Sequence, residues 1–158
     1  MVSRKSFGSM GYLISAFIFT LVYVKSGHPD SLLTTLWVLA CFKRFMEIAF
    51  VHIWSRTESE LFNALCEWTF LFGFANNISN SVYNDKDYVP PEDIWRYTGM
   101  AIFMTSMSLN AYIHLCLRAY KLRNGGNKVI PRGIFFNRIS CPHMLFEILA
   151  WIGFSLIA

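Results

Sequence analysis

Charge is what this chain has least of. Only 15% of its residues are Asp, Glu, Lys or Arg, against about 25% in a soluble globular domain. With 54% hydrophobic residues, 17% aromatics and a mean hydropathy of +0.38, an ordinary water-facing surface is excluded. Cysteines number four, and Cys41, Cys66, Cys116 and Cys141 lack the spacing of a metal site or a disulfide framework. They read as small apolar residues in or beside apolar segments. No internal repeat and no low-complexity tract breaks the chain, so its 158 residues are expected to form one domain, 1–158. No basic patch is interleaved with aromatics on a soluble face, which excludes a nucleic-acid partner. No acidic-poor, Arg-rich transit segment precedes the first apolar run, so no organelle is legible there.

The apolar residues come in blocks. Five segments, near 8–24, 32–54, 61–78, 93–117 and 141–158, are each long enough to cross ~30 Å of hydrocarbon or nearly so. The expected fold is therefore all-α, a polytopic membrane helix bundle of about five transmembrane helices. The first block resembles a signal peptide in its Arg4-Lys5 flank. However, Lys25-Ser26-Gly27-His28-Pro29 is a poor cleavage site, and the block reads as a retained helix. With five spans, nine basic residues fall on the side of the N-terminus and the 118–140 loop, and three on the other, with Lys43 and Arg44 inside the membrane. Positive residues collect on the cytosolic or matrix side. The +4 net charge is thus a topology signal. Pro90-Pro91-Glu92-Asp93 reads as a helix start and Asn124-Gly125-Gly126-Asn127 as a loop. Tyr83, Tyr88, Trp95 and Tyr97 read as an interfacial aromatic belt.

Two polar stripes interrupt the apolar blocks. Each ionisable group at membrane depth costs about 2.5–3.5 kcal/mol on insertion scales, so such groups mark a site or a buried interface. Lys43 and Glu47, four apart, share a helix face and can pair, while Arg44 points about 100° away. Lys43 or Arg44 then suits an anionic ligand or a thioester carbonyl, or else the pair simply helps helices pack. In the fourth block Asn110, His114, Arg118 and Lys121 fall within an arc of about 80°. That ladder rises from an amide to a guanidinium and an ammonium at the basic end. Such a graded set suits a dinucleotide phosphate, which Arg grips as a fork and Lys as a point charge. Snorkelling to the headgroups accounts for Arg118 and Lys121 equally well. Lone carboxylates Glu67 and Glu147 need protein, a cavity or a basic partner such as Arg44, His52 or Arg118.

These motifs resemble the steroid 5-alpha-reductase family, and most of all its very-long-chain trans-2-enoyl-CoA reductase branch. Lys43-Arg44-x-x-Glu47-x-x-Phe50-Val51-His52-x-x-Ser55 is similar to a KRxxExxFVHxxS signature. Asn110-x3-His114-x2-Leu117-Arg118 is similar to the family's NxxxHxxLR cofactor segment. Ile130-Pro131-x-Gly133-x-Phe135, then Ser140-Cys141-Pro142-x4-Glu147-x3-Trp151-Ile152-Gly153-Phe154, resembles its last cofactor loop and following helix. The resemblance runs from about residue 35 to 158 and corresponds to the family's C-terminal domain. It implies reduction of a carbon–carbon double bond conjugated to a carbonyl, with NADPH as hydride source. It implies cofactor contacts at Asn110, His114, Arg118, Lys121 and Glu147. It also implies a catalytic pair of Lys43 and a tyrosine in an SCPNY motif.

The sequence departs from that pattern where the chemistry is expected. Ser140-Cys141-Pro142-His143-Met144 puts Met144 at the tyrosine position, and a thioether has no proton to give. His143 has one to give, but lies one residue out of phase, a helical turn of about 100° that would aim it elsewhere. The family pattern also continues past Trp151-Ile152-Gly153-Phe154, so an open cofactor pocket is expected here. The reading favoured by the sequence is a catalytically degenerate family member, a pseudoenzyme with Lys43 and His143 as relics. It would serve as a structural, supernumerary subunit of a membrane complex, with a mitochondrial respiratory or ATP-synthase complex as host. Its partners would be membrane lipids and other membrane subunits, with a bound phospholipid where NADPH was lost. The alternative is a working NADPH-dependent enoyl-CoA or steroid-type reductase of lipid metabolism. The mitochondrial inner membrane and the endoplasmic reticulum are the expected locations.

Overall fold

A computed structural model describes the backbone of residues 2–28, 30–51, 58–59, 61–125, 131–133 and 135–158. It describes their side chains apart from those of 2–8, 58–59, 61–64 and 67. Five helices appear where five apolar blocks lie: α1 (Arg4–Ser26), α2 (Leu32–Met46), α3 (Leu61–Tyr83), α4 (Asp93–Arg123) and α5 (Pro142–Ser155). A five-residue π-turn, Glu47–Val51, extends α2. Val2–Ser3 pairs antiparallel with Glu58–Ser59 as a two-residue ladder.

Among the described residues, two helices are long and apolar enough to cross a membrane, within Ser9–Ser26 and Asp93–Arg123. Five spans were expected; the structure bears out five helices but does not confirm five crossings, and the shortest of the helices is α5. Its 14 residues rise about 21 Å, short of a ~30 Å hydrocarbon core.

The helices fall into two compact units. Met1–Phe50 with Arg56–Pro90 holds α1, α2 and α3, and Val51–Ser55 with Pro91–Ala158 holds α4 and α5. In the first unit α1 packs on both α2 and α3. α1 ends where Gly27 takes a positive φ of 66°, the left-handed turn that glycine adopts without strain. The core is aromatic: Phe19 stacks on Trp37 at 4.9 Å, and Tyr83 stands edge-on to Phe19 at 6.0 Å. Tyr83 was expected in an interfacial belt. It is instead buried, because its hydroxyl accepts the Thr34 backbone N–H at 3.2 Å and sits 2.8 Å from the Thr34 hydroxyl. A phenol whose hydroxyl has hydrogen-bond partners is stable inside a core. Trp95 and Tyr97 remain exposed. Cys41 is buried, as expected for a small apolar residue, whereas Cys66 and Cys141 are exposed.

In the second unit α4 begins at Asp93 with Glu92 as its N-cap, so Pro91 precedes the helix and does not open its first turn. α5 packs along α4, and two glycines set how close they come. A Cβ on Gly153 would sit 2.6 Å from the Phe103 amide nitrogen and 2.7 Å from the Gly99 carbonyl oxygen. A Cβ on Gly99 would meet the Gly153 carbonyl oxygen at 2.6 Å. Hydrogen in place of a side chain at both positions lets the two backbones touch. The loop before α5 is tied down. The Gly133 N–H donates to Asn137 Oδ1 at 2.9 Å, and Phe135 stands edge-on to Phe146 of α5 at 5.3 Å.

Candidate functional site

Among the described residues, each unit carries a polar cluster built from the expected site residues. In the first unit it lies at the end of α2. Glu47 is 4% exposed and receives Lys43 Nζ on Oε1 at 2.7 Å and an Arg44 guanidinium nitrogen on Oε2 at 3.2 Å. The Lys43 pairing is the i, i+4 contact expected from spacing. Arg44 was expected to point away, yet three residues is also a neighbouring position on a helix, and its long side chain reaches the second carboxylate oxygen. The Glu47 backbone N–H bonds to the carbonyls of both Lys43 and Arg44, and the π-turn begins there. One buried anion therefore meets two half-buried cations, and the cluster keeps one net positive charge. Such a group can hold an anion or polarise a carbonyl oxygen.

In the second unit the cluster lies between α4 and the start of α5. Asn110 is 1% exposed and donates from Nδ2 to the His143 carbonyl oxygen at 2.6 Å. One turn on, His114 is 8% exposed, and its ring lies 5.3 Å from that of His143, tilted by 56°. Pro142 opens α5 at the first turn with Cys141 as N-cap, so His143 sits where the helix has barely begun. That position is turned towards α4. Met144, expected from the resemblance to stand in place of a tyrosine, is 52% exposed. His143 was expected to point elsewhere; its ring instead faces His114 of α4, and its carbonyl oxygen accepts from Asn110.

Arg118 and Lys121 follow on the same arc of α4, half-buried, towards its basic C-terminal turn. Glu147, also half-buried, is one turn beyond His143 on α5. The structure thus joins Asn110, His114 and His143 in one cluster and Lys43 and Glu47 in another. His52, Ser55 and Ile130 of the motifs, and the Glu67 side chain, lie outside the described residues. Sequence reasoning missed Glu47 as a two-cation acceptor, although the Lys-Arg-x-x-Glu spacing contains both i+3 and i+4 relations. It also missed the histidine pair, for which Pro142 at the helix start was the available signal. Imidazoles are the side chains best able to give and take a proton near neutral pH. A pair of them, one buried on the helix that carries a cationic ladder and one half-buried beside it, is suited to proton transfer next to a phosphate-bearing ligand.

A family profile described as 3-oxo-5-alpha-steroid 4-dehydrogenase matches residues 57–158, the whole of α3, α4 and α5. The chain belongs to this steroid 5-alpha-reductase family. A very-long-chain enoyl-CoA reductase of Dictyostelium discoideum is 30% identical over 151 residues, 92% of this chain and 49% of that protein. A probable very-long-chain enoyl-CoA reductase, art-1, of Caenorhabditis elegans is 30% identical over 128 residues, 76% of this chain and 41% of that protein. Steroid 5-alpha-reductase DET2 of Arabidopsis thaliana is 39% identical over 62 residues, 39% of this chain and 24% of that protein. The chain spans half or less of the length of these relatives.

Proposed function

We propose that this protein is a membrane-embedded, NADPH-dependent reductase of a carbon–carbon double bond conjugated to a carbonyl. Its substrate class is the long-chain trans-2-enoyl thioester, and His143 takes the proton-donating role that Met144 cannot fill. The observation that carries this reading is the approach of the His143 ring to His114, 5.3 Å between centroids, beside the buried Asn110 amide. The donor set fits a dinucleotide phosphate, because α4 offers Arg118 and Lys121 on the same arc as Asn110 and His114. Bound there, NADPH would supply a hydride to the β-carbon of the substrate. The protein's own groups supply the rest. In the first unit, the net positive charge left on the Lys43–Arg44–Glu47 cluster suits the polarising of a carbonyl oxygen. His143 delivers a proton to the α-carbon, and His114 beside it shares the positive charge of the protonated imidazole. The similarity to enoyl-CoA reductases over most of this chain supports the substrate class.

A second reading has its own observation. Met144 is an exposed thioether at the position of the family's acid, and Glu47 already engages both Lys43 and Arg44. A chain that kept the fold without the chemistry would act as a structural subunit of a membrane assembly, with a phospholipid headgroup on the cationic ladder. One experiment separates the two. The protein is purified in mild detergent, and NADPH binding and turnover of a sixteen-carbon trans-2-enoyl-CoA are measured with the mass of the particle. The reductase reading expects micromolar NADPH binding lost in Arg118→Ala, with turnover. A large co-purifying assembly that neither binds NADPH nor turns over substrate favours the subunit.

A further inference from the structure

We infer that Glu47 is a positioning residue for Lys43, a clamp built into the π-turn that fixes where the lysine ammonium stands. This rests on the reductase reading for the role of Lys43 in polarising a carbonyl, but the clamp is a property of the cluster itself. Glu47 acts on its neighbours twice. Its backbone N–H bonds to the carbonyls of Lys43 and Arg44, and its carboxylate takes both of their cations, at 2.7 Å and 3.2 Å. A lysine side chain otherwise has four rotatable bonds and loses about 1.5–2 kcal/mol of rotamer entropy when fixed. Here Oε1 is the anchor that holds it. Arg44, on Oε2, keeps the carboxylate from rotating away, because the two oxygens carry different cations. The helix widens to the π form over Glu47–Val51, a feature that recurs at functional sites. An ordinary packing pair has no need of the second cation. One carboxylate with two cations leaves a net positive charge for a ligand.

The test uses the full chain in lipid nanodiscs, with Glu47→Gln and Glu47→Asp. Lysines are reductively methylated with ¹³C-formaldehyde, and the Lys43 signal is assigned by its loss in Lys43→Arg. The wild type should give a Lys43 resonance resolved from the exposed-lysine envelope. Glu47→Gln should return it to that envelope, and Glu47→Asp should leave it displaced. An unchanged resonance in Glu47→Gln overturns the clamp. In parallel, turnover of a sixteen-carbon trans-2-enoyl-CoA is followed. Glu47→Gln should lower kcat about 10- to 100-fold, the effect of losing the ion pair that places the ammonium. The KM for NADPH should stay within about twofold of wild type. Glu47→Asp should recover much of the rate. A kcat in Glu47→Gln equal to wild type overturns the positioning role. An inactive wild type whose Lys43 resonance still moves in Glu47→Gln overturns the reductase reading and leaves the clamp standing.

Discussion

The contact that presents His143 is a single hydrogen bond, and its removal has a calculable effect. Asn110→Ala takes away the Nδ2 donor that meets the His143 carbonyl oxygen at 2.6 Å. Asn110 is buried and the bond part-buried, so the carbonyl loses a strong partner that water only partly replaces. Leaving such an acceptor unmet costs about 1–3 kcal/mol. The amide carbons removed add a small cavity cost. For a cooperative unit of 60–100 residues, about 4–8 °C of Tm accompanies each kcal/mol, so a fall of roughly 5–20 °C is expected. Trp95 and Trp151 both lie in the second unit, and their fluorescence on heating in detergent reads this transition. Asn110→Asp, with the same shape but a carboxylate facing a carbonyl, should melt lower still. A melting temperature for Asn110→Ala within about 1 °C of wild type would refute the reasoning that this amide holds α5 to α4.

Gly153→Ala should destabilise the second unit by about 1–3 kcal/mol or prevent its folding, because the new Cβ meets backbone atoms at 2.6 and 2.7 Å, and Phe103 and Gly99 have no side-chain freedom to yield. Gly73→Ala, with nothing within 4 Å of the added carbon, should leave thermal unfolding close to wild type. Trp37→Ala should cost about 3–5 kcal/mol in the first unit through loss of the stack on Phe19, read by urea unfolding in detergent. In a cysteine-free background, single cysteines at Ser3 and Gly125 should label from the same side of a sealed vesicle, as the nine-to-three split of basic residues requires, and opposite labelling would show a miscounted crossing.

The positions of all five helices were legible because apolar blocks, Gly27 and the Glu92-Asp93 start mark them locally. The length of the last was not, since an apolar stretch near 141–158 does not say that the regular helix within it is only 14 residues long. The Lys43–Glu47 pair followed from spacing alone. Arg44 did not, because periodicity gives the direction of a Cβ and says nothing about how far a guanidinium reaches. Tyr83 misled because an aromatic near a helix end suits a membrane interface, and the residue that decides otherwise, Thr34, is far away in sequence. The same limit applies at His143: its facing depends on the rotation of α5 about its axis. No local pattern encodes that rotation.

The central claim is that His143 supplies the proton in the absence of a tyrosine at position 144. It is tested most directly by turnover of a sixteen-carbon trans-2-enoyl-CoA with NADPH by the purified wild type, His143→Gln and Met144→Leu proteins. Turnover that persists in Met144→Leu and falls by about 100-fold or more in His143→Gln, with NADPH affinity retained, is the predicted result. A wild type without turnover, or a His143→Gln variant as fast as wild type, would contradict it.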